Sequence, residues 1–190
     1  TVSVLGTLTM LLGMGTEAAL KAMPVYLVAH ALYKAALFQM AGSVDHESGT
    51  RRVDELGGLR GAMPITATAG LVAAFSMAGF PLLLGFVGKA VLYASGVDHT
   101  YGWLLVGAMV AASVILVATA LGVAIWPFWG KKVETPKHAH EAPWTMLAGP
   151  VVMAGLGVVF GLAPAWFGSL MSEGMTRAIA GKAKHVHLHL

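Results

Sequence analysis

The chain of 190 residues contains no cysteine. That excludes disulfides, thiolate nucleophiles and thiolate metal ligands. Charge is also scarce. Asp, Glu, Lys and Arg make up 11% of the residues, against about 25% in an average soluble domain. The net charge of +3 is small, and the basic residues are scattered through short polar connections. Neither a nucleic-acid patch nor a polybasic lipid-binding cluster is formed. No phosphate-cradling glycine loop or nucleophile motif occurs, and no cofactor is implied. Residues 103–129 and 144–171 lack Asp, Glu, Lys, Arg and His altogether. What is present instead is apolar: hydrophobic residues reach 57%. This is the composition of an integral membrane protein, in which each span needs about 20 apolar residues.

The pattern predicts an all-α fold, a polytopic transmembrane bundle of about six spans with one broken helix. The first apolar segment covers Thr1 to about Gly15, followed by a polar connection carrying Glu17 and Lys21. The second is Pro24 to Val44. A long polar connection, Asp45 to Glu55, ends near Met63-Pro64. The third and fourth segments share one run from Met63 to about Ser95, broken at Gly79-Phe80-Pro81. That run is too long for one span and adequate for two short ones. The fifth runs from Trp103 to Trp129 and the sixth from Trp144 to about Met171. Tryptophans 103, 126, 129, 144 and 166 lie near segment ends, where amphipathic rings favour the headgroup layer. Residues 1–171 thus form the bundle, and 172–190 a polar connection to a further segment. The chain opens inside an apolar run without the basic n-region of a signal peptide, so it reads as a piece of a longer membrane protein. Alternating segments would place Arg51, Arg52, Arg60, Arg177, Lys182 and Lys184 on one side and Lys21, Lys131, Lys132 and Lys137 on the other, a bias too slight to orient the chain.

Lys34 is the only fully charged side chain between Pro24 and Val44, and it follows His30 by one helical turn. A lysine at bilayer depth costs roughly 2.5–3.5 kcal/mol on insertion scales, and such residues commonly line ion or proton pathways. The spacing of four puts both side chains on one helix face, so a histidine and a lysine can pass a proton between them. A structural alternative is a snorkelling or ion-paired Lys34 with His30 bonded to a neighbouring carbonyl. Lys89 follows the Gly79-Pro81 break, where backbone polar groups are freed. In lipid such breaks persist only where protein or a water-filled cavity satisfies them. A plain helical hairpin with Lys89 at the interface fits the same residues. Asp45, His46 and Glu47 could load protons or hold a cation at a pathway mouth, or simply form a solvated loop. His138 and His140, and His185, His187 and His189, complete no recognisable metal-ligand set.

The string His30-Ala31-Leu32-Tyr33-Lys34-Ala35-Ala36-Leu37-Phe38 resembles the His-Ala-x-x-Lys-Ala-x-Leu-Phe signature of proton-translocating antiporter-like subunits. These are the large membrane subunits of respiratory complex I and of Mrp-type sodium/proton antiporters. Asp45-His46-Glu47-Ser48-Gly49-Thr50-Arg51 and Gly57-Gly58-Leu59-Arg60 are similar to the Mrp large A subunit in particular. Ser76 to Pro81, with Gly85-Phe86 and Lys89, resembles the family's broken helix and terminal lysine. The resemblance implies the second half of an inverted-repeat antiporter fold plus one helix, with His30 and Lys34 on a central hydrophilic axis and Lys89 at its far end. Two departures stand out. Ala90 occupies a position where relatives often carry an acid, and Leu82 one where many carry a second proline.

The implied function is a proton-translocating half-channel of a multisubunit monovalent cation (sodium)/proton antiporter. Its partners would be the other antiporter-complex subunits, the lipid bilayer, protons and sodium, in a bacterial plasma membrane. It would be a transporter component, not an enzyme. The alternative is a proton-pumping subunit of a redox-driven, complex I-like or hydrogenase-like assembly. A scaffold with structural lysines is a third reading.

Overall fold

A computed structural model describes residues 1–97 and 99–171. Among these the structure is all-helical, with α1 (Val2–Met14), α2 (Glu17–Ser48), α3 (Pro64–Ala78), α4 (Leu84–Val97), α5 (Gly102–Trp129) and α6 (Trp144–Leu162). Residues 164–171 are helical as well.

The spine is α2. It begins earlier than its apolar stretch, because Thr16 caps it by accepting a hydrogen bond from the Ala19 amide at 3.2 Å. Glu17 then sits favourably at the positive end of the helix dipole and pairs with Lys21 at 2.9 Å. The expected polar connection at Glu17–Lys21 is therefore the first turn of a helix, with Pro24 inside it. At the other end α2 continues through Asp45, His46 and Glu47 and stops at Gly49, whose φ of 76° suits glycine. Those three residues are helical, not part of a loop. At 32 residues the helix is about 48 Å long, more than a bilayer core of about 30 Å.

The break lies where expected, but its consequence differs from two short spans. Met63, Ala67 and Met77 pack with the C-terminal half of α2, around Leu37, Met40 and Val44. Leu84 and Val87 meet Val25 and Ala29. Leu92 reaches Ala19 and Ala22. The contacts thus move steadily toward the α2 N-terminus, so α3 and α4 lie end to end as one interrupted rod antiparallel to α2. This places both polar connections, 49–63 and 130–143, at the same end of the bundle. Val133 N–H donates to Gly57 O, Lys137 N–H donates to Ser48 O, and Arg60 stacks over Trp129. The expectation that Arg51, Arg52 and Arg60 lie opposite Lys131, Lys132 and Lys137 is corrected accordingly.

Helix α6 also ends sooner than expected, at Leu162. Pro164 disfavours helical geometry at Ala163, whose φ and ψ are −123° and 61°. The connection expected over 172–190, with its three histidines, lies outside the described residues. Helices α5 and α6 are long and apolar enough to cross a membrane. Their outward faces, including Trp103, Val114, Ile115 and Trp126, are exposed apolar surface. In lipid this costs nothing, whereas in water it would drive association.

The joint between α3 and α4 is closely fitted. A Cβ on Gly85 would collide with the Ser76 carbonyl, and one on Gly161 with the backbone of Leu82 and Leu83. Gly85→Ala is therefore expected to destabilise the fold by about 1–3 kcal/mol through overpacking against backbone. Gly122, with nothing within 4 Å of its Cβ position, is the control: Gly122→Ala should leave the thermal midpoint of the detergent-solubilised protein nearly unchanged.

Candidate functional site

Three groups of polar side chains lie along the spine. The first is at the break. Gly79 (φ 85°) and Phe80 close the end of α3 through their amides, which reach Phe75 O and Ser76 O. The Ser76 hydroxyl accepts from the Gly85 amide at 3.2 Å and so ties the start of α4 to the end of α3. The Ala78 carbonyl, one of those a helix C-terminus leaves without a backbone partner, accepts instead from Lys89 Nζ at 2.9 Å. An amine here also faces the negative end of the α3 dipole. Lys89 is 8% exposed. Ala78 is fourteen residues along from Pro64, about 21 Å by helical rise, so this amine sits deep within the bundle. Beside it lies a cavity of about 300 Å³ between the joint and α5, lined in part by Lys89, Tyr93 and Ser113.

The second group is the middle of α2. His30 and Tyr33 are both buried. His30 Nδ1 and the Tyr33 hydroxyl share a hydrogen bond of 3.0 Å, with the rings edge to face. Lys34 is half-buried and turns the other way along the helix, its Nζ 4.9 Å from the centre of the Phe38 ring. Among the described residues no carboxylate pairs with Lys34 or Lys89. The ion-paired alternative for Lys34 therefore has no partner in this part of the chain, and Lys89 is not at a hairpin turn.

The third group is the basic end. Asp45, His46 and Glu47 do not converge: Asp45 turns outward to Arg51 at 2.8 Å. Glu47 is the buried member, 5% exposed, and it is held by two histidines. His46 Nδ1 lies 2.9 Å from one carboxylate oxygen and His140 Nε2 lies 3.2 Å from the other. His140 Nδ1 in turn faces the Glu141 carbonyl at 3.0 Å. His140 thus links the buried carboxylate of α2 to the connection before α6. Lys137 fastens the connection to α2 by donating to His46 O at 3.1 Å. A cavity of about 460 Å³ opens here, lined by His46, Glu47, His138 and His140 among others. No set of three or more metal-ligating side chains gathers among the described residues.

The sequence singled out His30, Lys34, Lys89 and Glu47 but missed Tyr33, Tyr93, Ser113 and the partnership of His140 with Glu47. Glu141 was missed too. It accepts from the Ile65 amide at 2.6 Å and the Thr66 hydroxyl at 2.6 Å, so the connection before α6 caps α3. Its neighbour His140 in a short polar run was the only local signal.

An all-helical bundle with bare apolar outer faces and ionisable side chains at bilayer depth defines a multi-pass membrane protein. The family described as NADH:quinone oxidoreductase/Mrp antiporter, transmembrane, matches residues 1–116, and the chain belongs to it. It is 34% identical over its full length to the Na(+)/H(+) antiporter A1 subunit of Staphylococcus haemolyticus, of which it covers 27%. It is 40% identical over 87% of its length to the probable K(+)/H(+) antiporter A/B subunit of Rhizobium meliloti, covering 17% of that protein. Among solved structures, the Mrp complex of Dietzia sp. DQ12-45-1b superposes with a TM-score of 0.78 at 32% identity, over 97% of this chain and 20% of that one. The chain thus spans about a quarter or less of the relatives it matches.

Glu141→Ala removes the cap on α3. The expected loss is about 1 kcal/mol, seen as faster hydrogen exchange at the amides of Ile65 and Thr66 than in the parent protein.

Proposed function

We propose that this chain is the proton-conducting half-channel of a multisubunit monovalent cation/proton antiporter, the part in which protons cross the bilayer. The observation that carries this reading is Lys89, an amine held at bilayer depth against the open carbonyl end of an interrupted helix. Interrupted helices beside ionisable residues are the usual build of ion-translocation sites. Protons would load at Glu47 with His46 and His140, pass to Lys34 about 20 Å deeper along α2, and continue through His30 to Lys89. Asp45 serves the mouth indirectly, holding Arg51 aside. The matched antiporter subunits, with sodium in one name and potassium in the other, support coupling of this path to a monovalent cation carried with the help of other subunits. The chain is on this reading a transporter component without catalysis of its own. On this reading α1, α2, α5, α6 and the broken rod of α3 with α4 make five spans of the described residues, one fewer than the six expected from the sequence, within an inverted-repeat architecture.

Orientation follows from the folded arrangement of charge. Among the described residues, Arg51, Arg52, Arg60, Lys131, Lys132 and Lys137 share one end, and Lys21 stands at the other. The positive-inside rule then directs the Glu47 mouth to the cytoplasm. This chain contains no cysteine, so Lys132→Cys, made in the complete protein with any cysteine outside this chain replaced by serine, is a clean reporter. An impermeant maleimide should label it in inside-out vesicles and fail to label it in intact cells; the reverse pattern would invert the path.

Lys34→Ala and Lys89→Ala, made in the complete assembly, are each expected to abolish cation-dependent proton exchange in vesicles while the assembly stays intact on a native gel. Exchange at the parental rate in both would rule out the relay. The family description also names quinone oxidoreductases, so a redox-driven pump is the second reading. Co-purification of flavin and iron–sulfur subunits would favour it over the antiporter.

A further inference from the structure

His30 and Lys89 lie on different helices, and no hydrogen bond joins them directly. Three of the four tyrosines in the chain lie on these same two helices. Tyr33 shares its hydroxyl with His30 at 3.0 Å. Two turns back on α2, Tyr26 lies on the same face of the helix as Tyr33. Tyr26 is also 3% exposed, and its ring packs beside Gly88, the residue preceding Lys89. A side chain at position 88 would meet Tyr26 and Ala29 at 3.3 Å, so the glycine lets α4 approach the phenol this closely. Tyr93, one turn after Lys89, packs against the cluster that contains Tyr26. Its hydroxyl bonds Ser113 on α5 at 2.6 Å, and it shares the cavity of Lys89.

We propose that Tyr33, Tyr26 and Tyr93 form a hydroxyl bridge that carries protons between His30 on α2 and the Lys89 cavity on α4. The inference rests on the relay reading above and assigns it a route. Phenols suit this task because each hydroxyl both donates and accepts. When a proton arrives on one hydroxyl from its neighbour, the hydroxyl releases its own proton to the next acceptor. The O–H bond that breaks is matched by the one that forms, and no phenolate is left behind. Nitrogen bases terminate the bridge at both ends, His30 at one and Lys89 at the other. An alternative role, in which the tyrosines merely fill space, would need only their rings. Phenylalanine keeps the ring and removes the hydroxyl, which separates the two roles.

The test uses the complete assembly in vesicles, comparing Tyr33→Phe, Tyr26→Phe and Tyr93→Phe with the parent. Each should slow proton exchange by about tenfold or more, in line with the loss of a positioned proton-transfer group, and alter the solvent deuterium isotope effect. Tyr93→Phe matters most, since it leaves the His30 hydrogen bond intact. Tyr101→Phe, at an exposed site, should exchange at the parental rate. If all three variants match the parent while Lys89→Ala is inactive, the bridge is overturned and the lysine relay stands. If Lys89→Ala also matches the parent, both are overturned.

Discussion

The arrangement depends on one unmet backbone requirement. A helix that stops in the middle of a bilayer leaves carbonyls with no water to bond, and each would cost several kcal/mol if left bare. At the end of α3 the loop amides meet two of them, and the Lys89 amine meets the Ala78 carbonyl. The lysine needs the carbonyl as much as the carbonyl needs the lysine. An ammonium at this depth has few other acceptors, and the end of a helix dipole is one of the few electrically favourable places for it. Such a bond is strong enough to place the amine and weak enough to be exchanged. Pro81 and Gly79 make the break, and Gly85 lets α4 return close to α3, so the same few residues create the vacancy and position the group that fills it.

That local requirement sets the global topology. Because α3 and α4 continue in one direction, the chain reaches the far end of the bundle at Val97 and returns through α5. The polar connection after α5 therefore meets the one after α2, and Glu47 can meet His140. A simple hairpin at Gly79 would have sent Lys137 and His140 to the opposite side. The buried carboxylate, its two histidines and the cap that Glu141 provides to α3 all follow from the rod being interrupted and not reversed. Among the described residues, the gathering of six basic side chains at this end has the same origin.

Much of this was legible beforehand, and the exceptions have physical reasons. The break, the apolar middle of α2 and the clean spans of α5 and α6 are local properties, carried by Gly79, Pro81 and runs without charge. The start of α2 was hidden because Glu17 and Lys21 read as a polar connection, although Thr16 followed by an acid is a helix-start signal. Whether a break turns the chain back or lets it run on depends on which residues of α2 receive Leu84 and Leu92, and no local pattern encodes that. The pairing of Glu47 with His140 is equally invisible, since it joins side chains from separate connections. The tyrosines were missed for a different reason. On an apolar helix face an aromatic residue reads as core, and Tyr26 and Tyr33 are indeed core by burial; only the bond of the Tyr33 hydroxyl to His30 sets that residue apart.

The same distinction bears on how a packed core could conduct. Among the described residues no buried side-chain nitrogen or oxygen lacks a hydrogen-bond partner, so the polar groups of the interior already form a satisfied network. A satisfied network holds its members in place, which favours order, but transport requires that bonds be remade in sequence. Hydroxyls and imidazoles reconcile these demands, because turning about one C–O bond or moving a proton between ring nitrogens converts one satisfied arrangement into another. Carboxylates at this depth would instead hold the lysine protons in tight ion pairs. Among the described residues no carboxylate pairs with Lys34 or Lys89, so on the proposed relay neither amine is held in such a pair. Ala90 beside Lys89 extends that logic to the position where an acid would bind the proton most directly.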